Sequence, residues 1–176
     1  MNSDKNAYFL SLPEITELSV PPKTILLEEG KVADRMYLIR KGCLRLFFNN
    51  EGRDITFQFF FEGDFVASFD SLYQRTPSLF FLESIEPAEL SVMKREDFFR
   101  NLGQKPVLRQ IYEEKIIERF HVYQRLFLSR IKNTPQQRYE ELLKEHPSII
   151  QRIPQHYIAS YLGITSVSLS RIRNRR

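Results

Sequence analysis

The sequence predicts an α+β protein in which an antiparallel β-roll is followed by one long helix and then by a small all-α module. Three observations carry this. Between Lys23 and Met93, short β-type runs are punctuated by Gly30, Gly42, Gly52 and Gly63, 10 to 12 residues apart, which is the spacing of many short antiparallel strands. After Pro106 there is no glycine or proline through Lys132, room for a helix of about 25 residues and about 38 Å. The last stretch, IASYLGITSVSLSRIRNRR, sets one glycine between two short amphipathic segments and ends on four arginines in six residues.

In chain order, Ala7 to Leu18 is expected to hold one helix before Pro21-Pro22 breaks the chain. The strand runs are TILLEEG, MYLIRKG, LRLFFNNEG, ITFQFFFEGDFV and LFFLESIEPAELSVM, with NNEG a hairpin signal between Phe48 and Ile55. Alternation places Ile55, Phe57 and Phe59 on one face and Thr56, Gln58 and Phe60 on the other. The abundant phenylalanines read first as filling for a small barrel. Helical character is expected to begin over Ser91 to Asp97.

The long helix carries Leu108, Ile111, Tyr112, Ile116, Ile117, Phe120, Tyr123, Phe127, Leu128 and Ile131 at spacings of three and four among them. That face is too broad for a helix buried on one side. One side is expected to cover the β domain and the other to meet a copy of itself; packing wholly within one monomer is the alternative. Asn133-Thr134-Pro135 then restarts the chain, with Thr134 as N-cap and Pro135 at the first helical position of QQRYEELLKEH. The expected division is therefore 1–105 (roll with an N-terminal helix), 106–132 (long helix) and 133–176 (helical module).

In the terminal stretch, Ile158, Ala159 and Leu162 face inward from a helix over Gln155 to Leu162. Gly163 supplies the left-handed turn, Thr165 caps a second helix from Ser166 to about Asn174, and Leu169 and Ile172 dock it. This is a helix-turn-helix pattern. The outward face of the second helix has no carboxylate. Arg171 can pair with both acceptors of a guanine edge, Val167 can pack on a thymine methyl, and Ser166, Ser168 and Ser170 can touch bases or phosphates, with Thr165 at the helix start. Arg173, Arg175 and Arg176 suit the phosphate backbone, and Gln155 and His156 stand where a first helix crosses it. A solvated, dipole-favoured helix end is the plainer account of any one of these arginines.

Charge distribution by itself points only to a polyanion partner, a solvated basic tail being the alternative; joined to the helix-turn-helix pattern, the expected partner is double-stranded DNA. The net charge is +4, but from His146 onward there are five basic residues and no acidic one, so the positive field sits at one end. The single cysteine, Cys43, excludes an intrachain disulfide, a four-thiolate cluster and a zinc finger, and reads as a small buried apolar residue. Histidines at 121, 146 and 156 are scattered, and no phosphate loop or nucleophile elbow is present, so neither a catalytic set nor a metal site is expected. No apolar run spans a membrane and no export signal opens the chain, which points to the cytoplasm.

The order of parts, together with Glu29-Gly30, MYLIRKG at 36 to 42, EGDFV at 62 to 66 and IASYLGITSVSLSRIR at 158 to 173, resembles the Crp/Fnr family of bacterial transcription regulators. The last run is similar to the shorter members found in Bacteroidetes-type bacteria. The resemblance implies a cyclic-nucleotide-binding-like jelly roll, a homodimer through residues 106–132, two reading helices about 34 Å apart on a pseudo-palindromic site, and RNA polymerase as a further partner.

It also implies a departure. Where nucleotide-binding members carry a glycine-glutamate pair for the ribose and an arginine for the cyclic phosphate, this chain has Ala67-Ser68 and Ser78. A buried phosphate loses a strong charge-assisted pair without its guanidinium. Cyclic AMP and cyclic GMP are therefore not expected to bind well, and no cofactor is expected. Arg75 is the one nearby substitute, more simply a surface residue. The pocket ringed by Phe57, Phe59, Phe69, Phe80 and Phe81 is expected to be filled by its own side chains, an apolar or aromatic effector being the alternative. Tyr123 and Gln124 are candidate links from pocket to dimer seam. A second functional reading, a sensor acting mainly through protein contacts with weak DNA binding, stays open at this point.

Overall fold

The computed structural model describes residues 2–174, with side-chain surroundings from Asn6 onward. Its elements run α1 (Asn2–Leu10), β1 (Thr16–Val20), β2 (Ile25–Leu27), β3 (Arg35–Lys41), β4 (Leu44–Asn50), β5 (Arg53–Phe60), β6 (Phe65–Val66), α2 (Phe69–Gln74), β7 (Phe81–Ser84) and β8 (Ala88–Lys94). The helical part follows as α3 (Arg95–Gln104), α4 (Pro106–Lys132), α5 (Pro135–Glu145), α6 (Ile149–Arg152), α7 (Gln155–Leu162) and α8 (Ser166–Asn174). The chain divides into two compact units, one of residues 1–48 and 57–113, the other of 49–56 and 114–176.

In the first unit, two four-stranded sheets have the orders β1-β8-β3-β6 and β2-β7-β4-β5, with the described pairings antiparallel. This is the jelly-roll fold of the α+β class anticipated from the glycine rhythm. Tyr37 and Ile39 of β3, Leu44 and Leu46 of β4, Leu82 of β7 and Leu90 and Val92 of β8 form the cluster between the sheets. The alternate residues Met36 and Leu38 turn the other way, toward Phe9, Leu72, Phe98 and Leu108 of α1, α2, α3 and α4. Strand β3 is thus covered on both faces, which is why RMYLIRK reads as a nearly continuous apolar run rather than a clean alternation.

The NNEG turn is a two-residue hairpin with Glu51 at φ 53° and Gly52 at φ 80°, both left-handed as the twist of paired strands requires. Gly42, at φ 98°, faces a second constraint, since a Cβ there would lie 2.6 Å from the Pro87 carbonyl oxygen.

Three expectations are corrected. Thr16–Val20 is a strand paired with Ala88–Val92, so the N-terminal helix covers Asn2–Leu10 rather than Ala7 to Leu18; Pro13 disfavours helical backbone at Leu12, and the β-branched edge that follows is taken up by β8. Ser91–Lys94 stays in β8 because it pairs with Arg35–Leu38, and helix begins only at Arg95. Phe60, the last residue of β5 and expected opposite Phe57, belongs to the inter-sheet cluster on which Phe57 also packs. The short helices α2 and α6 were not anticipated.

In the second unit, Thr134 Oγ1 accepts the Gln137 N–H and the Gln137 side chain returns to the Thr134 N–H, a complete capping box with Pro135 at the first position. Tyr139, Leu142, Ile149, Ile153, Ile158, Ala159, Leu162 and Leu169 are buried and form the apolar interior of α5 to α8. The hairpin tip belongs to this unit, where Ser160 Oγ donates to Thr56 Oγ1 at 2.9 Å and accepts the Thr56 N–H at 3.2 Å. No helix among the described residues is long and apolar enough to cross a membrane.

Candidate nucleic-acid interface and sensor pocket

The helix pair at the end of the chain is built as its residue types require. Helix α7 ends at Gly163, φ 70° and ψ 34°, whose N–H returns to the Ala159 and Ser160 carbonyls, while the Ile164 N–H reaches Ala159 O at 3.0 Å. Thr165 Oγ1 accepts the Ser168 N–H and donates to the Ser168 hydroxyl, both at 3.1 Å, so it caps α8. Leu169 is fully buried behind α8. Facing out are Ser166, Val167, Ser170 and Arg171, all exposed, with Val167 at 62%. Ser168 and Arg173 are half-buried, and Gln155 and His156 are exposed on the first turn of α7. Arg175 lies outside the described residues. The exposed face of α8 therefore presents hydroxyls, one methyl-bearing side chain and guanidinium groups with no carboxylate.

Two arginines that sequence reasoning passed over hold this pair from behind. Arg130 Nη2, in the last turn of α4, donates to Tyr161 O at 2.8 Å. Arg138 of α5 donates through Nη2 to Leu162 O at 2.9 Å and through Nη1 to Asn133 O at 2.7 Å. Burial pushes the Tyr161 phenol up to about 12 although Arg130 pulls the other way, so it stays neutral at ordinary pH.

In the roll, Ser68 and Ser78 are both buried and their hydroxyls lie 2.8 Å apart. Ser78 Oγ also accepts the Phe80 N–H at 3.1 Å and lies 2.7 Å from Phe80 O. The Phe80 ring stacks on Phe57, centroids 4.8 Å apart, and both pack on the inter-sheet cluster. Of the expected pocket ring, these two residues come together at the core. Phe59 is buried.

Two others do not join them. Phe69 packs with Tyr112 in the cluster under the helices, because it is the first residue of α2 and turns with that helix. Phe81 stacks on Phe47, on the opposite side of the strand from Leu82, since successive side chains alternate. Arg75 is exposed, caps α2 at φ 62°, and gives its backbone N–H to Ser71 O. Tyr123 and Gln124 sit at exposed positions of α4 in the other unit.

Sequence reasoning also missed the buried ion pair Arg45–Glu83, Nε to Oε2 at 2.6 Å, in register across β4 and β7. The Arg45 guanidinium lies 3.9 Å from the Phe47 ring centroid. An opposite charge in each of two apolar strands was its only sequence signal, and it means little until the register is known. Among the described residues no group of histidine, cysteine and carboxylate side chains could hold a metal ion.

Residues 17–105 match the family model described as the cyclic nucleotide-binding domain. The chain belongs to that family. No curated protein sequence matches it significantly. Solved structures share the fold of this cyclic nucleotide-binding domain protein well beyond the roll. FixK2 from Bradyrhizobium japonicum superposes with a TM-score of 0.78 at 19% identity, over 92% of this chain and 83% of that one. The c-di-GMP responsive global regulator CLP from Xanthomonas campestris gives 0.77 at 14% identity, over 98% and 90%. The Thermus thermophilus catabolite activator protein gives 0.59 at 19%, over 98% and 82%.

Proposed function

We propose that this protein is a dimeric, DNA-binding transcription regulator of the Crp/Fnr type, not an enzyme, whose roll no longer takes a cyclic nucleotide. The observation that carries the reading is the α8 face: exposed serines, Val167 and Arg171 with no acidic neighbour on the helix, backed by buried Leu169 and a Gly163 turn. Such a ridge fits a major groove, where Arg171 would read guanine and Ser166, Val167 and Ser170 would meet bases or phosphates. Thr165 and Ser168 bond each other at the helix start, and Arg173, Gln155 and His156 are assigned to phosphates. Fold likeness to proteins named as a global regulator and a catabolite activator points the same way. A DNA-binding role would place the protein in the cytoplasm, with RNA polymerase the second macromolecule such a regulator meets.

The dimer reading rests on α4. Ile116, Phe120, Tyr123 and Phe127 follow a 4-3-4 spacing and are 36% to 67% exposed, while Ile117, Leu128 and Ile131 widen the apolar strip. A seam at that spacing suits a second copy of the same helix. The pocket reading rests on Ser68 and Ser78: two neutral hydroxyls bonded to each other occupy the positions that the resemblance assigns to ribose and phosphate ligands.

A gel-shift selection from random duplexes tests the function. The expected result is a pseudo-palindromic site surviving competitor DNA, with Arg171→Ala costing roughly 1 to 3 kcal/mol and relaxing one base position. Absence of any sequence preference across salt concentrations would sink the reading.

A further inference from the structure

The end of α7 leaves four backbone carbonyls without a helical partner, as every helix does. Those of Ala159 and Ser160 are taken by the N–H groups of Gly163 and Ile164 in the turn. Those of Tyr161 and Leu162 are taken by Arg130 and Arg138. The account closes with side chains from two other helices. Arg130 comes from the last turn of α4, and Arg138 simultaneously grips the Asn133 carbonyl at the α4–α5 junction. Positive charge at this end also opposes the negative pole of α7.

We infer that Arg130 and Arg138 are positioning residues for DNA reading, clamping the point where the chain reverses into α8 so that the angle of the reading helix is set by α4 and α5. This rests on the proposed DNA-binding function. Both residues belong to the second compact unit, which carries the terminal arginines, and the competing explanation is direct contact with phosphate. Chemistry separates the two. A guanidinium that holds these carbonyls, Arg130 through Nη2 alone and Arg138 through both Nη atoms, at 2.7 to 2.9 Å acts through the turn. It should govern the choice among sequences, since base readout depends on helix angle, while non-specific attraction depends on summed charge.

The two arginines also differ from each other. The Arg130 bond is single, and lysine can supply one donor with the same charge. Arg138 spans two carbonyls with a planar fork that a compact ammonium cannot reproduce.

The experiment measures affinity for the selected operator and for random duplex over a salt series, using full-length wild type, Arg130→Ala, Arg138→Ala, Arg130→Lys and Arg138→Lys. Operator affinity is expected to fall on the order of tenfold for each alanine variant, the scale of one charge-assisted hydrogen bond. Random-duplex affinity should move less than about twofold, and the slope of log K against log salt should be unchanged. Arg130→Lys is expected to recover wild-type behaviour and Arg138→Lys to stay close to its alanine variant.

A slope shallower by about 0.9 per arginine removed, with both affinities falling together, would mark phosphate contacts and overturn the inference while leaving the proposed function standing. Wild-type affinity in the alanine variants would overturn it as well. Should those variants fail to fold, the lysine pair decides, because equal behaviour at the two positions contradicts the clamp. A wild type without sequence preference defeats the proposed function first and the clamp with it.

Discussion

The hydroxyls of Ser68 and Ser78 lie 2.8 Å apart inside the roll, ten residues apart in sequence, and are bonded to each other. Ser78 also takes the Phe80 N–H, so a single small side chain organises the loop that leads into β7. Polar groups satisfied in this way present neither an unpaired donor nor a positive charge to an incoming phosphate.

Isothermal titration of the purified protein with cyclic AMP is accordingly expected to show no binding at micromolar concentration; micromolar or tighter binding overturns that expectation. Ser78→Ala should destabilise the roll by about 1 to 3 kcal/mol in urea unfolding, because it leaves the part-buried Phe80 N–H and the buried Ser68 hydroxyl short of a partner.

Placing aspartate at Phe120 and Phe127 should convert the protein to a monomer. These side chains are 58% and 67% exposed in the single chain, so the change costs the monomer little, whereas in a self-paired seam it would set carboxylates opposite one another. Analytical ultracentrifugation should find twice the chain mass for wild type and the chain mass for the double variant. A wild type that stays monomeric at micromolar concentration refutes the seam.

Alkaline pH should loosen the helical module. The Tyr161 phenol is raised to about 12, first by burial, so the folded state holds its proton where the unfolded chain, near its ordinary value of about 10, has released it. The stabilisation is fully present below about pH 10 and is lost as pH rises through about 12, a swing of roughly 2 to 3 kcal/mol at 1.36 kcal/mol per unit. Tyr161→Phe should flatten that part of the profile in denaturant titrations between pH 8 and 12. An unchanged slope would mean that another group is responsible.

Two glycines should respond differently to alanine. Gly163 is left-handed but has nothing within 4 Å of an added Cβ, so Gly163→Ala is expected to cost about 1 to 2 kcal/mol. At Gly42 the Cβ would meet Pro87 O at 2.6 Å and Ala88 at 2.9 Å, backbone that cannot move aside without breaking the β3–β8 register. Gly42→Ala should therefore cost several kcal/mol, or prevent folding of the roll. Comparable urea midpoints for the two variants would contradict this.

Much of the fold was legible because local chemistry spells it out. NNEG became a two-residue hairpin because Gly52 takes left-handed backbone without steric cost; Thr134-Pro135 became a capped helix start; Gly163 and Thr165 became the turn and cap of the terminal pair. Each depends on residues within four positions of one another, so a linear reading suffices. The apolar side of α8 and its carboxylate-free side were readable for the same reason, since helical periodicity assigns faces without reference to anything distant.

What tertiary structure decided lies at longer range. Whether Thr16–Val20 and Ser91–Lys94 became strand or helix depended on each finding a partner in the sheet, and backbone hydrogen bonding across a ladder outweighs weak local propensity. The same holds for the functional regions. Phe69 and Phe81 left the expected pocket ring because a helix start and a strand's alternation turned them away, and Arg45 found Glu83 only through the β4–β7 register. Arg130 and Arg138, 31 and 24 residues from the carbonyls they grip, look like any solvated arginine in the sequence. Their role exists only once three helices converge, because a hydrogen bond is decided by where its donor and acceptor arrive in space.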